Sequence, residues 1–264
     1  MSSEDFFATH PVFTHEEFSQ SRRRRSPRTV DSLLRKHCSS GRIVRVRRGL
    51  YVTVPPGSSA DAVEADAYLV ATKAAVDATV SHHAALQFHG RTYSMWSRLT
   101  FFTRHPTRAF QFGATEFVPI RPPKAVADLP DIGGGVDLVM SGGGLVRVTT
   151  CERAMVDVLH SPTLGGSWEE IWRSLEMVEF FDLNAVISYA LALRSAMTVA
   201  RVGFFLEQHR DALFVEDAHL ETLVEHAPKQ ARYFDSSREP GRLTQPWNLI
   251  VPEPVLRRTW EELA

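Results

Sequence analysis

Apolar positions in the first fifty residues change from helical spacing to a period of two after Gly41, and the pattern marks out elements. Phe6 and Phe7 face inward from a short helix over residues 2–10. Thr14-His15-Glu16-Glu17 matches a capping box, in which the Thr14 hydroxyl accepts from one backbone N–H and Glu17 reaches back to another. A helix over about 14–20 follows, with Phe18 as its core residue. Ser26-Pro27 opens the next helix, with serine at the cap and proline in the first turn, where its missing N–H costs nothing. Val30, Leu33, Leu34, His37 and Cys38 then recur at helical spacing as a packed stripe, while Arg28, Thr29, Ser32, Arg35 and Lys36 fall largely on the other side. Gly41 ends this helix. The period becomes two after it: Ile43 and Val44 sit side by side, then Val44 and Val46 take one face and Arg45 and Arg47 the other. Arg48-Gly49 turns into Leu50-Tyr51-Val52. Helix, turn, helix and basic hairpin in this order predict a winged helix-turn-helix.

Gly57-Ser58-Ser59 after Pro55-Pro56 reads as a linker, which predicts a module over 1–56 and a second domain over 57–264. Beyond it the pattern predicts a helix over 61–76 and a second one capped by Ser81, running to about Phe88 and ended by Gly90. Residues 99–103, 110–112, 116–118, 136–140 and 145–149 read as strands, and Thr149-Thr150-Cys151-Glu152 caps the helix that follows. From Ser167 onward the chain reads mainly as helices, with a short extended tail over 247–251. The predicted class is α+β (mixed α/β): an N-terminal winged helix-turn-helix and a larger C-terminal α/β domain ending in helices.

Charge divides the chain in the same place. The net charge of −1 conceals eleven basic and five acidic residues over 1–54, net +6, and 19 basic against 26 acidic beyond, net −7. A basic head on an acidic body points to a polyanion-binding module joined to something else. At 44% hydrophobic and 23% charged, 264 residues suffice for two compact cores. The most apolar stretch, 185–193, contains Ser188, stops at Arg194 and falls far short of the roughly 20 residues of a membrane helix. Glu4 and Asp5 precede Phe6-Phe7 where a secretory signal is basic, and two cysteines make neither a disulfide framework nor a thiolate zinc site. The expected location is the cytoplasm, with no membrane partner.

The predicted partner is double-stranded DNA. A recognition helix fits the major groove, where Arg28, Thr29, Ser32, Arg35 and Lys36 reach base edges and phosphates. Arg45, Arg47 and Arg48 of the wing, and the run Arg22, Arg23, Arg24 and Arg25, neutralise phosphates or enter a minor groove. The weaker reading of that run is a solvated loop or a site for any nucleic acid. No metal or cofactor is expected. His89 lies seven and six positions beyond His82 and His83, unlike a helical zinc pair, and these histidines are expected to pack or hydrogen-bond. Gly133–Gly135 and Gly142–Gly144 precede no Lys-Ser/Thr of a phosphate loop and read as turns. Trp168 and Trp172 read as packing, and Asp157 as an ion-pair partner of Arg153.

The run from Gly41 to Val52, GRIVRVRRGLYV, looks like the winged-helix end of the AbiEi antitoxin family. Further similarity lies in ADAYLVA at 65–71, SHHAAL at 81–86, VTTCERAMVD at 148–157 and PWNLIVP at 246–252, so the resemblance spans nearly the whole chain. It implies a transcriptional autorepressor and antitoxin, encoded beside a nucleotidyltransferase-like toxin, with a C-terminal α/β domain required for antitoxicity. Residues 20–26 depart from it, being arginine-rich where family members often have a short Gly-containing turn. The resemblance implies no catalytic residues. The partners that follow are operator DNA, a cognate toxin met directly or opposed indirectly, and a second copy on DNA. The competing expectation is a DNA-acting enzyme such as a nuclease. Against it, none of Lys36, Lys73, Lys124 and Lys229 stands two residues after an acidic residue, where many metal-dependent nucleases place one, and no Gly-x-Ser-x-Gly turn occurs.

Overall fold

The computed structural model describes residues 2–22, 25–130 and 133–260. The fold is mixed α+β, and the chain divides into two compact units that alternate along the sequence. One holds 1–80, 96–121 and 137–148, the other 81–95, 122–136 and 149–264. The expected linker at Pro55–Ser59 lies inside the first unit.

The first unit begins with α1 (Ser3–Thr9), β1 (Val12–Thr14), α2 (His15–Ser21), α3 (Pro27–Ser39), β2 (Ile43–Arg47) and β3 (Leu50–Thr53). The capping box forms as the sequence predicts: the Thr14 hydroxyl accepts from Glu17 N, and Thr14 N donates to the Glu17 carboxylate at 2.7 Å. Ser26 caps α3 with Pro27 in its first turn. Phe6, Phe7, Phe13, Phe18, Val30, Leu34, Ile43 and Tyr51 form one buried cluster, with Leu33 and Cys38 packed against it. β1, which the sequence pattern does not single out, pairs with β3 through Val12 opposite Val52, and the antiparallel sheet runs β1-β3-β2.

The predicted hairpin alternation fails at one residue. Arg45 lies opposite Tyr51, yet Arg47 lies opposite Leu50, so two steps on β2 match one on β3 and Val46 is a bulge. Neighbours on a strand point to opposite faces, so Arg45 and Arg47 part company instead of sharing a face.

The remainder of this unit is α4 (Ala67–Thr72), β4 (Thr79–Val80), β5 (Arg98–Phe102), β6 (Phe110–Phe112), β7 (Thr115–Ile120), β8 (Val136–Ser141) and β9 (Gly144–Thr149). The strands form one sheet in the order β6-β7-β5-β4-β9-β8. The helix expected over 61–76 shrinks to α4, because the Asp66 carboxylate accepts from Tyr68 N and Leu69 N and starts the helix there.

The second unit holds α5 (His83–Phe88), α6 (Cys151–His160), α7 (Trp168–Glu176), α8 (Leu183–Ala192), α9 (Ala196–Gln208) and α10 (Asp217–Val224). Ser81 does not cap α5. His82 stands at the junction with φ 57° and no capping bond, and its Nδ1 meets Ser81 Oγ at 2.9 Å. Thr150, one residue past Thr149, caps α6 by accepting from Arg153 N. The expected tail is part of a small sheet, β10 (Arg232–Tyr233), β12 (Leu249–Pro252) and β11 (Gly241–Thr244), followed by α11 (Glu253–Arg257). Trp168 and Trp172 pack edge to face at 5.7 Å within an aromatic core that includes Phe204, Phe205 and Phe234. Gly203 on α9 lies against the buried indole of Trp247.

Candidate nucleic-acid interface

Charge follows the compact units. The first carries 17 basic and 11 acidic residues, net +6, and the second 13 and 20, net −7. Three of the first unit's basic residues lie on α3. Arg28, Ser32 and Arg35, spaced four and three apart, form an exposed stripe, with exposed Lys36 beside it. Among the described residues Arg28, Ser32, Lys36 and Arg48 have no side-chain hydrogen bond or ion pair. Arg35 Nε donates to Asp31 O at 3.3 Å, one turn back, and the Thr29 and Ser26 hydroxyls meet at 2.9 Å beside the cap.

Between α3 and the β2–β3 hairpin lies a concave surface of about 960 Å³, walled by Arg35 and Ser39 on the helix and by Arg45, Arg48 and Tyr51 on the hairpin. Gly49, at φ 82°, makes the tight turn that holds Arg48 at its rim. His15 Nε2 and Asp31 Oδ1, 2.8 Å apart, line the same surface and place one carboxylate among the arginines. Cys38 also lines it, and burial pushes its thiol up against the pull of Arg45.

Not every arginine of the run or the wing is available. Arg22 caps α2, lies over the Phe18 ring at 5.1 Å and donates to Ser3 Oγ at 3.0 Å. Arg23 and Arg24 lie outside the described residues, and Arg25 is exposed. Arg45 is exposed, and its Nε donates to Arg47 O at 3.3 Å. Arg47 is half-buried: the bulge at Val46 turns it to the other face, where its guanidinium lies 5.0 Å from the centre of the Phe110 ring. Strict alternation could not have located this stack, since the bulge leaves no mark in the residue types.

The module is fastened from behind. Burial alone would raise the Glu17 carboxyl, but its hydrogen bonds from Lys73 and Thr14 hold it below the usual range. The other predicted side chains lie in the second unit. His83 Nε2 meets Glu170 Oε1 at 2.9 Å, His89 Nε2 meets Thr149 O at 2.8 Å, and Arg153 pairs with Asp157 at 3.6 Å. Among the described residues no helix is long and apolar enough to cross a membrane.

No family model matches the chain, and neither does any curated protein. Among solved structures, the crystal structure of the RV2827C protein from Mycobacterium tuberculosis is similar, with 16% identity and a TM-score of 0.60 over 97% of this chain and 92% of that one. At that identity the likeness extends to the fold, a mixed α+β chain over nearly its whole length.

Proposed function

We propose that this chain is a DNA-binding transcriptional autorepressor and the antitoxin of a toxin–antitoxin operon, with α1 to β3 as a winged helix-turn-helix on operator DNA. The observation that carries the DNA half is the pairing of an exposed Arg28-Ser32-Arg35 stripe with a concave surface rimmed by Arg45 and Arg48. An α-helix fits a major groove, arginine takes guanine edges, and rim arginines take phosphates. The antitoxin half, and a nucleotidyltransferase-like toxin as partner, follow from the resemblance to the AbiEi family.

The division between reading and positioning is testable on the full chain. In gel shifts over a set of operator variants, Arg28→Ala and Ser32→Ala should change the order of preference, each lost base contact costing about 1–3 kcal/mol. Arg45→Ala should weaken all duplexes alike and flatten the salt dependence. Equal losses for all three variants on every duplex would overturn the assignment of α3 as the reading helix. For the antitoxin half, growth is measured while the toxin encoded beside this chain is co-expressed with it, and failure to restore growth would overturn that role.

A further inference from the structure

The basic surface of the first unit does not end at the hairpin. Over residues 96–121, Arg98, Arg104, Arg108 and Arg121 stand against Glu116 alone, although the chain beyond residue 54 is acidic as a whole. Arg98 and Glu116 engage each other at 3.6 Å where β5 and β7 begin. These strands are parallel, with Arg98 opposite Glu116 and Phe102 opposite Ile120, so their far ends bring the β5–β6 loop beside Arg121.

The start of that loop is fixed by hydrogen bonds. Thr103 N donates to Ile120 O at 3.0 Å, and Arg121 Nη1 donates to Arg104 O at 2.5 Å. The buried Asp77 carboxylate accepts from Thr103 Oγ1 at 2.6 Å, Arg104 N at 2.9 Å and Arg104 Nε at 3.4 Å, with His105 Nε2 at 4.0 Å. Asp77 thereby offsets part of the Arg104 charge. Exposed Arg108 and Arg121 have no ion-pair partner among the described residues. Arg108 also lies two residues before Phe110, the ring that carries Arg47. Two residues span about 7 Å at full extension, so Arg108 stands next to the wing.

We infer that the β5–β6 loop is a second phosphate-binding surface, with Arg108 as its principal contact and Arg121 and Arg104 behind it. It rests on the DNA reading above and extends the footprint past the winged helix along the same duplex. A duplex strand presents a phosphate about every 3.4 Å, so one that continues past the hairpin offers Arg108 a phosphate several steps beyond those at Arg45 and Arg48. The contact is with backbone and carries no base preference.

The test uses the full chain and Arg108→Gln, with Arg98→Gln as control at the opposite end of the same strands. Both positions are exposed or half-exposed, and thermal unfolding checks that each variant folds. Arg108→Gln should reduce the slope of log affinity against log salt by about 0.9 and leave the order of operator preference unchanged. Arg98→Gln should keep the wild-type slope. Arg108→Glu should weaken binding further at every salt concentration. If wild type binds a duplex and Arg108→Gln keeps its slope, the second surface is refuted while the winged-helix reading stands. If the wild-type chain binds no duplex, both fall.

Discussion

Replacing Arg47 by alanine and Phe110 by leucine, singly and together, measures whether the bulge at Val46 redirects a hairpin arginine into the protein. The guanidinium carbon lies 5.0 Å from the ring centre, within the roughly 6 Å over which a cation feels a ring's quadrupole. Such contacts contribute about 0.5–1 kcal/mol at exposed sites and about 2 kcal/mol when desolvated. Arg47 is half-buried, and its Nη1 is shut off from solvent without a hydrogen-bond partner, so a coupling of about 1 kcal/mol is expected. The Arg47→Ala effect alone is uninformative, because removing an unsatisfied buried N–H recovers about 1–3 kcal/mol and masks the loss of the stack. The cycle cancels that contribution. Urea unfolding of the four proteins, with a common slope, gives the coupling as the difference between the double variant and the summed singles. A companion titration on duplex DNA should show Arg45→Ala lowering the salt slope by about 0.9 while Arg47→Ala leaves it nearly unchanged. Coupling indistinguishable from zero, together with equal slope changes for the two arginines, would return Arg47 to the solvent face and refute the argument from the bulge.

Asp157 and Gly203 give two further tests in the second unit. Burial pushes the Asp157 carboxyl up to about 6 against the pull of Arg153 and of the Tyr189 hydroxyl, which donates to it at 2.8 Å. The native chain therefore keeps a proton that the unfolded chain has lost, and stability should fall as pH rises from about 4 to about 6, by about 3 kcal/mol at 1.36 kcal/mol per tenfold. Asp157→Asn should remove that segment of the stability–pH curve; a curve identical to wild type would contradict the assignment. A Cβ at Gly203 would overlap the ring of Trp247, so Gly203→Ala should lower the thermal midpoint through a cost of about 1–3 kcal/mol. An unchanged midpoint would mean that helix and indole do not meet as described.

Much of the N-terminal module is legible in the sequence because its signals are local. A capping box, a Ser-Pro start and a helical stripe each act within a few residues, and Glu17, Ser26 and Leu34 occupy the positions those rules assign. What fails needs partners distant in sequence. Val46 becomes a bulge through its register with Leu50 and Tyr51, and β1 exists through its pairing with β3. Asp66 overrides helical periodicity upstream of it by capping α4, and the junction at His82 displaces the serine that looks like a cap. On the interface, exposure of Arg28, Ser32 and Lys36 follows from helical spacing, whereas the burial of Arg47 and the fixing of Arg22 over Phe18 depend on aromatic neighbours. The basic stretch over 96–121 is visible in the residue types, but a charge balance taken over the whole acidic body averages it away.

The alternation of the two compact units along the chain also sets a timetable for synthesis. The N-terminal module has all of its core partners once residue 53 has left the ribosome, since Phe6 through Tyr51 close on one another. β4 waits longer. Its antiparallel partner β5 arrives within about twenty residues, but its parallel partner, met where Val80 lies opposite Val148, is made sixty-eight residues later. At about 5–20 residues per second, that leaves one side of β4 unpaired for about 3–14 s in every nascent chain. An open strand edge is a template for other strands, so misassembly on crowded polysomes is expected at β4 rather than in the N-terminal module, which has already closed by then.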